Sequence, residues 1–250
     1  MMKNNEMIYG FQSVMEALNS DKQVDKILLR KGSQGQAFVE LHKLAREKNV
    51  PCSFVPLEKI NGLIRGNHQG VLAFISPIAY QEIESIVPFL FENGKTPLLI
   101  ILDGVTDVRN LGAVARSAEC AGADALIIPA LGSARVSADA VKTSAGALMN
   151  LPVCRTFNLP ATLEFLKQSG IHITAASEKS KIPYYKSDFN VPLAIILGAE
   201  DTGVSKECLD KTDSQISIPM KGATASLNVS VAAGILLFEV LRQRDQFPQK

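Results

Sequence analysis

Four short apolar runs constrain this chain most: Leu98–Leu102, Ala125–Ile128, Ile171–Ala175 and Leu193–Leu197. Each is of the kind that forms a strand covered on both faces. Apolar residues recur at helical spacing between and after them, over Leu111–Ala121, Ala138–Met149, Leu159–Gln168 and Leu227–Arg244. Strands alternating with helices predict an α/β fold, a mostly parallel sheet with helices on both sides. Ligands bind such sheets beyond the carboxyl ends of the strands, so chemistry is sought directly after each run.

The residues ahead of these runs alternate in the same way on a smaller scale. The patterns predict a helix over Phe11–Leu18, a strand over Lys26–Arg30, a helix over Ala37–Lys48, and strands near Ser53 and over Val71–Ile75. This defines a small N-terminal α/β domain over residues 1–76. Pro77 and the Glu92, Asn93, Gly94, Pro97 stretch mark a linker over 77–95 that includes a short helix around Ile83–Phe91, and 96–250 forms the second domain.

Composition narrows the class. With 46% hydrophobic and 20% charged residues the chain is of ordinary globular type. No apolar run reaches the roughly 18 residues of a membrane span. The start, MMKNNEMIYGFQSV, has no apolar signal core, so the cytoplasm is the expected compartment. Residues 1–75 carry 10 Lys and Arg against 7 Asp and Glu, a surplus able to meet phosphates but equally ordinary for a solvated surface. Cys52, Cys120, Cys154 and Cys208, like His42, His68 and His172, are dispersed without CxxC spacing. No metal site is expected, and the thiols read as buried and reduced.

Three clusters follow strand-like runs. DGVTDVRNLGAVARSAECAG places Asp103, Asn110 and Arg116 among Gly104 and Gly112; LAIILGAEDTGVS places Gly198, Glu200 and Gly203; QISIPMKGATASLNVS follows the strand-like Gln215–Ile218. Glycines allow close backbone approach to a ligand, but neither GxGxxG nor a P-loop is present, which argues against nicotinamide or ATP sites. Ser226 lacks a GxSxG elbow and a nearby histidine, which argues against a serine hydrolase. Glu200 and Asp201, adjacent in sequence, suit a solvated turn better than an acid pair. Ser226 and Asn228 open an apolar helix where backbone N–H groups are unsatisfied, so each can cap the helix or face a ligand.

Taken together the clusters resemble the SpoU/TrmH family of RNA ribose 2′-O-methyltransferases. Its three motifs stand in order as DGVTDVRNLGAVARSAE, IILGAEDTGVS and ISIPMKGATASLNVSVAAGI, and the resemblance spans roughly Leu98–Arg244. YGFQSVMEAL and NHQGVLAFIS look like the ribosomal-protein-like RNA substrate-binding domain of the family's rRNA-guanosine branch, which minimal tRNA-acting relatives often lack. The resemblance implies a trefoil knot, which periodicity could not predict. It also implies S-adenosylmethionine as cofactor, held at Leu197, Gly198, Gly203, Ile218, Pro219, Met220, Ser226, Leu227 and Asn228, largely through main-chain groups. The implied catalytic set is Arg116, Asn110, Glu200, Ser226 and Asn228, in a homodimer paired through the knotted domain. The implied reaction is methyl transfer to a ribose 2′-hydroxyl in RNA, with a guanosine of large-subunit rRNA favoured and tRNA the alternative. A non-catalytic RNA-binding or ribosome-assembly protein would carry a damaged motif set, whereas all five residues are present.

Arg116 is by resemblance nearest the hydroxyl and cast as general base. A free guanidinium has a pKa of about 12.5 to 13.8, so keeping an arginine neutral near pH 7 costs about 7–9 kcal/mol. The expected role is therefore to fix the phosphate and hydroxyl, with proton loss late or shared with the substrate phosphate. Members of the family frequently carry Pro at the position of Val108, so the turn before Asn110 lacks that fixed φ.

Overall fold

The computed structural model describes residues 7–224 and 226–246. Residues 1–6 of the expected first domain, Ala225 of the third motif and the last four residues lie outside these. The chain forms two compact units, one reaching to Ala79 and taking in Arg135–Ala138, the other Tyr80–Ala134 with the chain from Asp139 onward.

Among the described residues the first unit is a four-stranded mixed sheet with three helices. Its strands are β1 (Met7–Tyr9), β2 (Val24–Arg30), β3 (Cys52–Val55) and β4 (Val71–Ile75), and its helices α1 (Phe11–Asn19), α2 (Gln36–Glu47) and α3 (Leu57–Leu63). The order is β1-β4-β2-β3, with only β2 and β3 parallel. Strand alternation sends Ile27, Leu29, Val71 and Ala73 against Val14, Leu18, Leu41 and Ala45 of α1 and α2, and Leu28 and Leu72 against Ile60 of α3. The NHQG segment is a capping turn. His68 Nδ1 accepts the Gly70 N–H at 3.0 Å, so Nε2 carries the proton and donates to Asn61 Oδ1 at 2.7 Å. Gln69 Oε1 accepts the Phe11 N–H at 3.0 Å, which serves α1 because Gly10 before it has no side chain to cap with.

The second unit comprises α4 (Ile83–Glu92), β5 (Leu98–Asp103), α5 (Val108–Cys120), β6 (Ala125–Pro129), α6 (Ala138–Thr143), β7 (Val153–Thr156), α7 (Leu159–Gln168), β8 (His172–Ala176), β9 (Leu193–Gly198), α8 (Lys206–Leu209), β10 (Ser214–Ile216) and α9 (Val229–Gln246). Among the described residues its six strands are all parallel, in the order β10-β8-β9-β5-β6-β7. Leu99, Ile101, Ile127, Ile173 and Ile196 pack against Ile83, Val87 and Leu90 of α4 and Leu159, Leu163 and Leu166 of α7. The alternating residues Leu98, Ile100, Leu102 and Leu126 are equally buried, and α9 packs on both α5 and β9. Helices thus cover the sheet on both sides. No helix among the described residues is long and apolar enough to cross a membrane.

Three expectations are corrected. The helix at Ile83 is not part of a linker: Ile83, Val87 and Leu90 belong to the core of the second unit, and the division falls after Ala79. The helical pattern over Ala138–Met149 breaks, because Ala145 and Gly146 adopt left-handed φ of 51° and 89° and only a 3-10 turn follows, Ala147–Met149. Cys120 is exposed, whereas Cys154 and Cys208 are buried, and burial pushes their thiols up to about 12 and about 11.

Gly112 lets α5 approach the next helix. A Cβ there would stand 2.7 Å from both the Ala140 carbonyl oxygen and the Thr143 Cβ. Gly112→Ala is expected to cost about 1–3 kcal/mol by overpacking, despite alanine's better helix propensity, and to lower the urea midpoint accordingly.

Candidate active site

The site is built from three chain turns at the carboxyl edge of the parallel sheet. At the first, Asp103 ends β5 and its Oδ2 accepts the Ser205 N–H at 2.7 Å, tying this turn to the loop after β9. Asp107 caps α5, accepting the N–H groups of Arg109 at 2.6 Å and Asn110 at 3.3 Å. This double cap supplies the rigidity that proline at Val108 would have given. Asn110 is not the cap, and its side chain is available for other partners.

At the second turn, Ala199 and Gly203 exchange two backbone hydrogen bonds, of 3.2 and 2.8 Å, around Glu200, Asp201 and Thr202. A Cβ at Gly198 would lie 2.0 Å from the Gly203 carbonyl carbon and 2.1 Å from the Val204 nitrogen, so only glycine allows the chain to fold back here.

The third turn precedes α9, and its cap is Asn228. The Asn228 Oδ1 accepts the Ser230 N–H at 3.0 Å and the Ser230 hydroxyl at 2.5 Å, while its carbonyl accepts the N–H groups of Val231 and Ala232. Ser226 does not cap; it is exposed and lines a cleft. With Oδ1 so occupied, the Asn228 Nδ2 faces the other two turns. It donates to Asn110 Oδ1 at 3.0 Å and to Glu200 Oε1, and Asn110 Nδ2 donates to the same Glu200 oxygen at 3.0 Å. The three motifs thus close a ring of side-chain hydrogen bonds on one carboxylate.

Glu200 also lines the cleft, whose volume is about 330 Å³. Of the residues expected to hold the cofactor, Leu197, Gly198, Gly203, Ile218, Met220, Ser226 and Leu227 line it; Pro219 and Asn228 do not. Val229, Ala232 and Leu236 of α9 and Ile216 complete its apolar wall. Sequence reasoning missed Ser177, Glu178 and Lys179, which line the cleft from the loop after β8. The signal was present, since they directly follow the apolar run Ile171–Ala175.

Arg116 stands apart from the ring. It lies six residues beyond Asn110 on α5, about 9 Å along the axis and about 120° around it. Its side chain is exposed and makes no hydrogen bond or ion pair among the described residues.

Residues 97–238 match the SpoU rRNA Methylase family, and residues 7–81 match the domain described as RNA 2'-O ribose methyltransferase substrate binding. A putative TrmH family tRNA/rRNA methyltransferase of Staphylococcus saprophyticus is 36% identical over 244 residues, covering 98% of each chain. The AdoMet-bound rRNA methyltransferase from Sinorhizobium meliloti has a similar fold, with a TM-score of 0.60 at 23% identity over 95% of this chain and 87% of that one. The A. aeolicus TrmH/SpoU tRNA modifying enzyme, at a TM-score of 0.56 and 28% identity, covers 66% of this chain and 85% of its own. By the match of its second unit and by likeness along its full length, this chain belongs to the SpoU rRNA methylase family.

Proposed function

We propose that this protein transfers a methyl group from S-adenosylmethionine to a ribose 2′-hydroxyl of RNA, at a guanosine of large-subunit rRNA. The observation that carries this reading is the ring of Asn110, Glu200 and Asn228 set against the cleft after β8, β9 and β10. The cleft suits the cofactor: its volume falls in the range of small-molecule sites, and Leu197, Ile216, Leu227 and Leu236 offer apolar walls for a purine. Leu197, Gly198, Gly203, Ile218, Met220, Ser226 and Leu227 would hold it, with Pro219 and Asn228 shaping the loops from outside. When bound, S-adenosylmethionine supplies an electrophilic methyl group on a sulfonium.

The chain's own residues align the acceptor. Glu200, fixed by two amide donors, keeps one carboxylate edge for the ribose, and the exposed guanidinium of Arg116 clamps the phosphate and orients the hydroxyl, whose proton leaves late or to that phosphate. Alignment of this kind supplies a large share of the rate. Arg116→Lys is expected to slow single-turnover transfer at least about tenfold, since lysine lacks the planar fork. A lysine variant of nearly full activity would contradict the clamp.

The first unit favours rRNA over tRNA, because YGFQSVMEAL and NHQGVLAFIS look like the substrate-binding domain that minimal tRNA-acting members of the family often lack. The alternative remains tRNA, as the relative's name carries both. The same reading takes the second unit as knotted and cytoplasmic, with α9 returning to pack on α5. It also takes the protein as a homodimer. Val231 and Phe238, seven residues apart on α9, are half exposed, whereas Ala233, Leu236, Leu237 and Val240 complete the core without them. Sedimentation should give a dimer for the native protein and a monomer for Phe238→Glu; a stable, active native monomer would refute the pairing.

Mapping 2′-O-methylation in total RNA from cells with and without the protein tests the function. The expected result is one missing mark in large-subunit rRNA. A mark missing from tRNA instead would reassign the substrate, and no difference in either would contradict the reading.

A further inference from the structure

The first unit holds a second cleft, of about 420 Å³, between loop 31–35, the outward face of α2 and the edge strand β3. Phe38, Val39, His42 and Phe54 form its walls, and Lys43 and Arg46 stand on its rim. Val39 is 67% and Phe54 56% exposed, an apolar expanse that is costly to leave in water without a partner. The His42 and Phe54 rings lie 5.9 Å apart and tilted by 39°, both exposed and both lining the cleft. Phe38 is anchored inward, edge-on to Phe11 at 6.4 Å, so the floor is fixed.

The charge around the cleft selects the partner. Among the described residues no carboxylate lines it. Lys43 has only a long, exposed ion pair to Glu47 at 3.8 Å, and Arg46 makes none among the described residues. α2 begins beside the cleft with no side-chain cap and no acidic residue in its first turn, so its positive end is uncompensated. Ring faces flanked by cations and a helix N-terminus fit a stacked base with phosphates on either side.

We propose that this cleft receives an unstacked base of single-stranded RNA, laid against Phe54 and His42 with neighbouring phosphates at Lys43 and Arg46. The proposal rests on the RNA methyltransferase reading and names the surface by which the first unit holds that RNA. Because every base has a π-face, the contact adds affinity without choosing sequence. A second copy of this chain docking by the same face would set like charges together at Lys43 and Arg46, and a protein helix is the remaining rival occupant.

The test uses the full chain and a fluorescein-labelled single-stranded RNA of mixed sequence, about 16 nucleotides long, read by anisotropy. Phe54→Ala is expected to weaken binding about 5- to 100-fold, and Phe54→Trp to keep it. Arg46→Ala should reduce the salt dependence of binding by close to one phosphate contact. Ultraviolet cross-linking should join the RNA to the peptide containing Phe54, and S-adenosylmethionine affinity should stay within twofold of native in every variant. Unchanged RNA affinity in Phe54→Ala overturns the proposal, whether or not sedimentation or peptide binding changes instead. Native protein that binds RNA through Phe54 but transfers no methyl group supports the cleft and defeats the methyl-transfer reading.

Discussion

Asn228→Ala is expected to slow methyl transfer roughly 100-fold, the order of loss that follows when reacting groups are misplaced by about 1 Å. It should also cost about 1 kcal/mol of stability, because Asn228 caps α9. Asn228→Asp separates these two roles. Aspartate is as good a cap, so urea unfolding should show nearly native stability. It cannot donate, however, and it would set a second carboxylate against Glu200, where Asn228 Nδ2 now bonds both Glu200 Oε1 and Asn110 Oδ1. The aspartate variant should therefore be at least as slow as the alanine variant while folding normally. Equal activity in Asn228→Asp and the native protein would show that the ring of side chains has no part in transfer.

Arg244→Ala should produce the largest loss of stability, about 3–5 kcal/mol. Its guanidinium bonds four backbone carbonyls: Thr96 at 2.8 Å, Pro97 at 3.0 Å, Val191 at 2.9 Å and Phe189 at 3.1 Å. These lie ahead of β5 and β9, so one side chain pins α9 to the entry of the two central strands. Burial holds this guanidinium below its ordinary pKa, partly offset by the charge of Asp124, so the four carbonyls replace water as its solvation. Gln243 beside it accepts the Phe189 N–H at 2.9 Å and donates to the Ser187 carbonyl at 3.1 Å, extending the clasp. Removing the arginine takes one donor from each of these carbonyls in a half-buried site, although Pro97 keeps the Leu193 N–H at 2.9 Å. Arg244→Lys restores a charge but not the fork, and should recover less than half of the loss. Thermal unfolding of the alanine variant should come roughly 10 °C earlier.

The sheet was legible because its strands are buried on both faces and its helices carry local stop and start signals. Leu159–Gln168 is read without error, since Asn158 caps it with a hydrogen bond to the Ala161 N–H and a proline follows at its start. The Ala138–Met149 pattern failed because apolar spacing says nothing about a backbone turned left-handed at Ala145 and Gly146. β1, with three residues, and β7, with four, are too short to show a period.

The site was legible only as a list. Asn110 and Glu200 are 90 positions apart, and Asn110 and Asn228 are 118 apart, so no local rule joins them. Family likeness supplied the set, and the structure divides it: Asn110, Glu200 and Asn228 meet, Ser226 lines the cleft, and Arg116 stands aside. The choice of cap between Ser226 and Asn228 likewise needed the backbone, which begins α9 at Val229.

Incubating the purified native chain with methyl-labelled S-adenosylmethionine and unmodified large-subunit rRNA, then digesting the RNA with alkali, tests the central claim most directly. A ribose 2′-O-methyl group blocks alkaline cleavage at its own nucleotide, so the label should appear in alkali-resistant dinucleotides beginning with guanosine, and should be lost with Asn228→Asp. Label recovered only in mononucleotides, or no label in RNA at all, would contradict the account.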